Sequence, residues 1–425
     1  MQTVDAVSLS RATALCGRPA IRLDWSVRVT THALCLILAL ALPPQTAAAQ
    51  EPVPKRPRLA AGIDTNDAQE YLALGRQRLE DDPAEASRAF YWASRLQPDL
   101  AQAYYGRVVA QMLDDHDLLA IHFDGGGNDK ERAQDKAVDS VYALSFSLDP
   151  FLHRAWDKTL LIAFGDLRAH SDGSVRAKRE IEEELGTHGP EWKAWLFYSA
   201  GRFREALDFY SLASRRNPKN DAFLARRAEL HMRLLETDSA FKYYAEAIRV
   251  ASAEERNKDR LVRFYKPKAV YEYMTGLLHE SRGNVAAARE AYGRTLTEDL
   301  SLFVAHQRLG LLALAAGDTT SALSELRLGT EIAPRNAVLR YQYGAVLTRA
   351  GRLPEAVPEL KRVIESEPWY AAPYLLLGRL YDASDLKEDA RALYSNFLAR
   401  ARRADLQRAF AEQRIAALAT APSER

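Results

Sequence analysis

The chain has 425 residues, 47% of them hydrophobic, with 58 Lys and Arg against 57 Asp and Glu and a formal net charge of +1. So even a balance gives no global field to attract polyanions, and nucleic-acid binding through a strongly basic surface is not expected. Both cysteines, Cys16 and Cys35, lie in the first 50 residues, which leaves the rest of the chain without thiol chemistry, disulfides or a cysteine metal site.

In chain order, residues 1–50 read as an export signal. Arg11, Arg18, Arg22 and Arg28 make a basic leader, residues 33–42 (ALCLILALAL) form an apolar run, and Ala47, Ala48 and Ala49 supply a small-residue cleavage pattern. The run is about half the ~20 apolar residues a membrane span needs. Its loss leaves a chain of net charge near −1 and places the expected mature protein in the periplasm or outside the cell. Residues 51–66 carry three prolines and three basic residues and read as an extended linker.

Residues 67–186 read as divergent helical units with insertions. The first is a pair of amphipathic helices broken at Asp81-Asp82-Pro83 and closed by Pro98. The second begins near Ala103 and carries an insertion at about 114–135. Residues 151–186 are a further helical stretch interrupted at 171–174. Two units follow over 187–254, then a charged insertion at 255–268 (a helix extension or a loop). Four regular units cover 269–400, and 401–425 is a capping helix and tail, with Leu406, Phe410 and Ala417 on its apolar face.

A fixed interval underlies these units. Gly276, Gly310, Gly344 and Gly378 are 34 residues apart, and Ala288, Ala322, Ala356 and Ala390 keep the same step. A period of this length marks one helix-turn-helix unit, too small to bury its own apolar face and so stacked on its neighbours. The spacings resemble the tetratricopeptide repeat, which places a small residue at position 8, Gly near 15, Ala at 20, an aromatic or Leu at 24 and Pro at 32. With units starting at 269, 303, 337 and 371, position 15 is Gly283, Gly317 and Gly351, position 24 is Tyr292, Leu326, Leu360 and Tyr394, and Pro334 and Pro368 fall at 32. Starts at 187 and 221 bring Ala194/Ala228, Ala206/Ala240 and Tyr210/Tyr244 into register. Position 27, usually Ala, holds Thr295, Gly329, Val363 and Phe397, and Pro358 falls inside a second helix, where it must come early or kink it. The resemblance implies an all-α, right-handed superhelical solenoid of antiparallel helix pairs.

It also implies a concave surface lined by the first helix of each pair, with positions 2, 5, 9, 12 and 13 facing it. By register these are Trp195, Tyr198, Glu229, Arg233, Tyr273, Glu280, Tyr341, Arg349, Arg379 and Asp382, aromatic anchors among charges that suit capture of a protein or peptide. The family's clamp for a terminal carboxylate wants Lys and Asn at positions 5 and 9. Those positions hold Tyr273/Leu277, Gln307/Leu311, Tyr341/Ala345 and Leu375/Arg379, so that clamp is not encoded.

Chemistry has one weak candidate. His116 and His122 with nearby carboxylates could hold a divalent cation, and Gly125-Gly126-Gly127 a phosphate. Their spacing matches neither the Ca²⁺ loop nor the phosphate-binding loop, and the G-x-S-x-G, H-E-x-x-H and G-x-G-x-x-G signatures are missing. The expectation is an exported, non-enzymatic scaffold without cofactor or metal that binds a protein or peptide partner as an adaptor in an envelope assembly. The alternatives are an envelope hydrolase or metal-dependent factor built on 113–186, and a structural spacer.

Overall fold

The computed structural model describes residues 53–79, 81–114, scattered positions between 128 and 148, and residues 189–199, 202–255 and 267–420. The expected signal at 1–50, the His116–Gly127 cluster and the interruption at 171–174 lie outside these residues.

Among the described residues every regular element is a helix. The order is α1 (Ala68–Arg78), α2 (Pro83–Leu96), α3 (Ala101–Asp114), α4 (Pro190–Ser199), α5 (Phe203–Arg216), α6 (Asp221–Arg233), α7 (Thr237–Glu255), α8 (Pro267–Ser281), α9 (Val285–Glu298), α10 (Phe303–Ala315), α11 (Thr319–Ile332), α12 (Ala337–Arg349), α13 (Leu353–Ser366), α14 (Ala371–Ala383), α15 (Lys387–Arg400) and α16 (Arg408–Thr420). From α4 onward the main packing is of each helix on the next in sequence, the arrangement of a solenoid of helix pairs.

The 34-residue rhythm has a steric cause. A Cβ built on Gly276 would stand 2.4 Å from Cε1 of Tyr292, and one on Gly310 2.8 Å from Cγ of Leu326. On Gly344 and Gly378 it would stand 3.0 Å from Leu360 and Tyr394. Position 8 is therefore small because the residue at 24 lies flat against its backbone, and the four residues at 24 are fully buried. Position 20 follows the same logic: Ala288, Ala322, Ala356 and Ala390 are all 0% exposed. The departures at position 27 are also core positions, with Thr295 and Val363 fully buried and Phe397 nearly so.

The turn within each pair needs a left-handed residue. Gly283, Gly317 and Gly351 supply it with φ of 72°, 81° and 73°, and the equivalent turns at Leu235 and Asp385 take φ of 62° and 59° without glycine. Helix starts are capped locally: the Asp82 carboxylate accepts from the Glu85 amide at 2.8 Å with Pro83 at the first turn, and Asn336 accepts from Leu339 at 3.0 Å. Pro358 lies inside α13, which runs on to Ser366.

Two expectations change in detail. At the charged insertion α7 runs for 19 residues to Glu255, against 13 in α6 and 15 in α8, and residues 256–266 lie outside the described ones. The capping helix begins at Arg408, so Leu406 precedes it and is 90% exposed. Its packed side is Phe410, Ala411, Ile415 and Leu418, and Ala417 faces solvent.

The core forms a strip rather than a ball. One continuous apolar cluster runs from Leu224 to Leu380, with Tyr394, Phe397 and Ala411 closing its far end and a separate one around Phe197, Tyr210 and Phe223. The N-terminal helices have their own core, in which the ring of Phe90 fills the space left by both Gly75 and Gly106. Residues 53–66 are irregular but not loose: the Trp92 indole N–H donates to the Pro54 carbonyl at 3.1 Å, and the Arg56 guanidinium lies 4.7 Å from the Trp92 ring centre.

The two ends of the described chain meet. Trp92 of α2 packs edge-on against Trp369 with ring centres 4.9 Å apart, and Arg95 pairs with Glu367 at the end of α13. Asn66 donates to the Ala399 carbonyl at 2.8 Å, the Arg403 amide donates to Asp64, and the Arg403 guanidinium donates to the Gly62 carbonyl at 3.0 Å. Residues 272 or more apart in sequence thus come into contact, which no local pattern in the sequence announces.

Candidate functional site: the first-helix face

The face expected to meet a partner divides into two parts when its residues are placed. On α12, Leu339, Val346 and Leu347 point into the core and Tyr341 packs against its edge, while helical geometry turns Ala345, Thr348 and Arg349 to the other side. Leu375 and Arg379 take the matching positions on α14. Tyr341 is half-buried, with its ring centre 5.4 Å from that of Tyr370, and Arg349 is exposed. Among the described residues no ion pair or hydrogen bond engages the Arg349 guanidinium. Arg379, also exposed, donates to Gln407 and lies 4.5 Å over the Phe410 ring.

The other expected residues hold the array together. Glu229 is the hub of a buried network: its carboxylate accepts from the Tyr198 hydroxyl, from Arg226 at 2.7 Å and from Arg233 at 3.0 Å, and Arg233 also donates to Tyr198 at 2.6 Å. The Arg233 side chain is 1% exposed. Burial pushes the Tyr198 phenol well up, and the Glu229 carboxylate beside it adds to the rise. Tyr198, Glu229 and Arg233 are brought together, then, but facing one another across neighbouring pairs. Trp195 is on α4; its side chain lies outside the described residues.

Tyr273, Glu280 and Asp382 belong to a repeated clip. In the unit starting at 269 the Tyr292 hydroxyl (position 24) donates to Glu280 (position 12) at 2.7 Å, and Arg308 of the next first helix reaches the same carboxylate at 3.5 Å. In the unit starting at 371, Tyr394 donates to Asp382 at 3.0 Å, and Arg414 of the cap helix binds both oxygens at 2.7 Å. Where position 24 is Leu326 or Leu360, position 12 is Leu314 or Thr348, so acid and tyrosine occur together in these four units. Tyr273 is buried with its ring 5.6 Å from Tyr292. This pairing of positions 12 and 24 is visible in the sequence once Tyr is treated as a donor needing an acceptor.

The cap clip gives a pH prediction. The hydrogen bonds from Arg414 hold the Asp382 carboxyl below the usual aspartate range against the opposing effect of burial, with a lesser contribution from the Tyr394 hydroxyl. A carboxyl depressed in the folded state contributes stability above its unfolded value of about 3.9 and loses it as pH falls through the folded value. The melting-temperature gap between the wild type and Asp382→Asn is therefore expected to be full at neutral pH and to shrink below about pH 4. A gap independent of pH would remove Asp382 ionisation as its cause.

An open recess of about 290 Å³ lies beside this clip, lined by Arg379, Asp382, Ala383, Tyr394, Phe410 and Arg414. Its charged groups are engaged with each other or with Gln407. No group of three or more metal-ligating side chains occurs among the described residues, and no described helix is long and apolar enough to cross a membrane.

Stacked helix pairs with this periodic packing make a helical-repeat solenoid, a fold that presents extended surfaces for protein contacts. Residues 347–412 match the family model described as "Tetratricopeptide repeat". No curated protein matches it. Among solved structures it is similar to YrrB, described as a TPR protein with an unusual peptide-binding site (19% identity, 48% of this chain and 97% of that one, TM-score 0.40). It is also similar to PilF of Pseudomonas aeruginosa (13% identity, 53% and 95%, TM-score 0.42) and to the Cut9–Hcn1 hetero-tetramer of the APC/C (12% identity, 83% and 76%, TM-score 0.38).

Proposed function

We propose that this protein is an exported scaffold that binds a protein or peptide partner on the concave face of its array and acts as an adaptor in a cell-envelope assembly. The observation that carries the reading is the division of the first-helix face. Tyr198, Glu229, Arg233, Glu280 and Asp382 are consumed by contacts within the array, whereas Arg349 stands exposed on the face as an unengaged cation beside the half-buried ring of Tyr341, which packs on Tyr370 and the core edge. An aromatic anchor beside an arginine is the composition of an interface hot spot. The partner-facing part of the array is accordingly the α12–α14 surface of Tyr341, Ala345, Thr348, Arg349, Leu375 and Arg379. Export rests on the basic leader, apolar run and small-residue triplet of residues 1–50, and a non-enzymatic role on the lack of a recognised catalytic signature in the sequence.

The test is capture from the native envelope by crosslinking the tagged protein, next to a Tyr341→Ala/Arg349→Ala variant. One dominant partner, reduced about tenfold or more in the variant as expected for a hot-spot pair worth 1–2 kcal/mol or more, supports the reading. A partner retained at full yield places binding on another surface.

A further inference from the structure

The contact between the chain's two ends differs in kind from the packing that builds the array. Neighbouring pairs share one continuous apolar core from Leu224 to Leu380. The N-terminal helices have a core around Phe90, extended through Val108 and Met112 to Val138 and Val141, and among the described residues Trp369 is the apolar side chain of the C-terminal half that packs against it. Among the described residues the other contacts identified across this boundary are polar: the Arg95–Glu367 pair, the two bonds of Arg403 to Asp64 and Gly62, and the bond of Asn66 to Ala399. Small polar boundaries between units with separate cores are the kind that open and close, because each side keeps its fold when the contact is lost.

The boundary also adjoins the face assigned above. Glu367, Trp369 and Tyr370 form the loop from α13 to α14, and Tyr370 is the ring against which Tyr341 packs. Asp99 and Leu100, at the turn between α2 and α3, belong to the docked unit, and the Asp99 charge acts on Tyr370.

We infer that residues 53–114 form a detachable latch that closes the array on itself at 366–403, and that its release uncovers Trp369, Tyr370 and the end of the partner-binding face beside Tyr341. The released unit stays part of the same chain, so reclosure is intramolecular, at an effective concentration reaching the millimolar range for short connections and lower for longer ones. A weak contact is then enough to hold the closed state, and a partner that competes for Trp369 or Glu367 opens it. The critical pair is Arg95 with Glu367, whose side chains are 26% and 12% exposed. Replacing either by a like charge leaves two buried charges of one sign facing each other.

The latch is tested on the full chain, independently of any partner. Spin labels on Gln77→Cys and Arg391→Cys, two exposed positions outside the contact, report the distance in a chain carrying Cys16→Ser and Cys35→Ser. The expected result is a single narrow distance in this parent, its loss to a longer, broad distribution in Glu367→Arg and in Arg95→Glu, and recovery of the narrow peak in the Arg95→Glu/Glu367→Arg swap. Far-UV helicity is expected to be equal in all four, which separates opening from unfolding. A narrow peak that survives both single reversals, or a broad distribution already present in the parent, overturns the latch. A short distance that vanishes on dilution with unlabelled protein also overturns it, by showing contact between two copies instead. None of these results depends on where a partner binds, so the latch and the binding-face reading stand or fall separately.

Discussion

Glu229→Ala is expected to destabilise the middle of the array by about 3–5 kcal/mol, the usual cost of removing one member of a buried charge network. The substitution leaves Arg226 and Arg233 facing each other without their shared carboxylate, and Arg233 has almost no access to water. Glu229→Gln is expected to lie between, since an amide oxygen still accepts but carries no charge. Because repeat arrays unfold in pieces and not as one unit, hydrogen exchange resolved along the chain is the suitable measurement. Protection is expected to fall in α4–α7 and to hold in α12–α15. If Glu229 were instead a partner contact on an open surface, its removal would change stability by no more than about 0.5 kcal/mol.

The second large effect is expected at Tyr292. Its ring is fully buried against the Gly276 backbone, and its hydroxyl donates to Glu280. Tyr292→Ala opens a ring-sized cavity and is expected to cost about 3–5 kcal/mol, whereas Tyr292→Phe removes one hydrogen bond for about 1 kcal/mol. The mirror-image change, Gly276→Ala, drives a methyl to 2.4 Å from the ring, and overpacking of this kind costs about 1–3 kcal/mol. Gly344→Ala is expected to cost less, because its contact is a flexible Leu360 methyl at 3.0 Å. Equal costs at the two glycines, read by denaturant unfolding, would contradict the account of position 8 as a slot shaped by the residue at 24.

These predictions mark what the sequence made legible. The spacing of Gly276, Gly310, Gly344 and Gly378 was enough to read the helix pairs, because the same steric requirement recurs in each unit and local patterns carry it. The cap was legible as a helix but not in its face: Leu406 reads as apolar in sequence, yet the chain leaves α15 in an extended turn and the helix begins only at Arg408. The binding face was legible as a set of register positions and not as a surface. Register places Tyr198, Glu229 and Arg233 where a ligand would pass; three donors converging on one carboxylate turn them inward. Within the four regular units the Tyr292–Glu280 and Tyr394–Asp382 clips were present in the sequence as a coupled choice at positions 12 and 24, which the units of Tyr210 and Tyr244 do not share. The meeting of Trp92 with Trp369 and of Arg95 with Glu367 was not, since contacts across most of the chain leave no periodic trace.

The central claim is that Tyr341 and Arg349 face a partner while Tyr198 and Glu229 serve the array. The most direct measurement places a photo-reactive phenylalanine analogue at Tyr341, at Arg349 and at Tyr198 in turn and illuminates cells producing the protein. Adducts to one and the same protein from positions 341 and 349, with none from 198, are the expected result. Adducts from 198 with none from 341 or 349 would contradict the account and return the binding face to α4–α6.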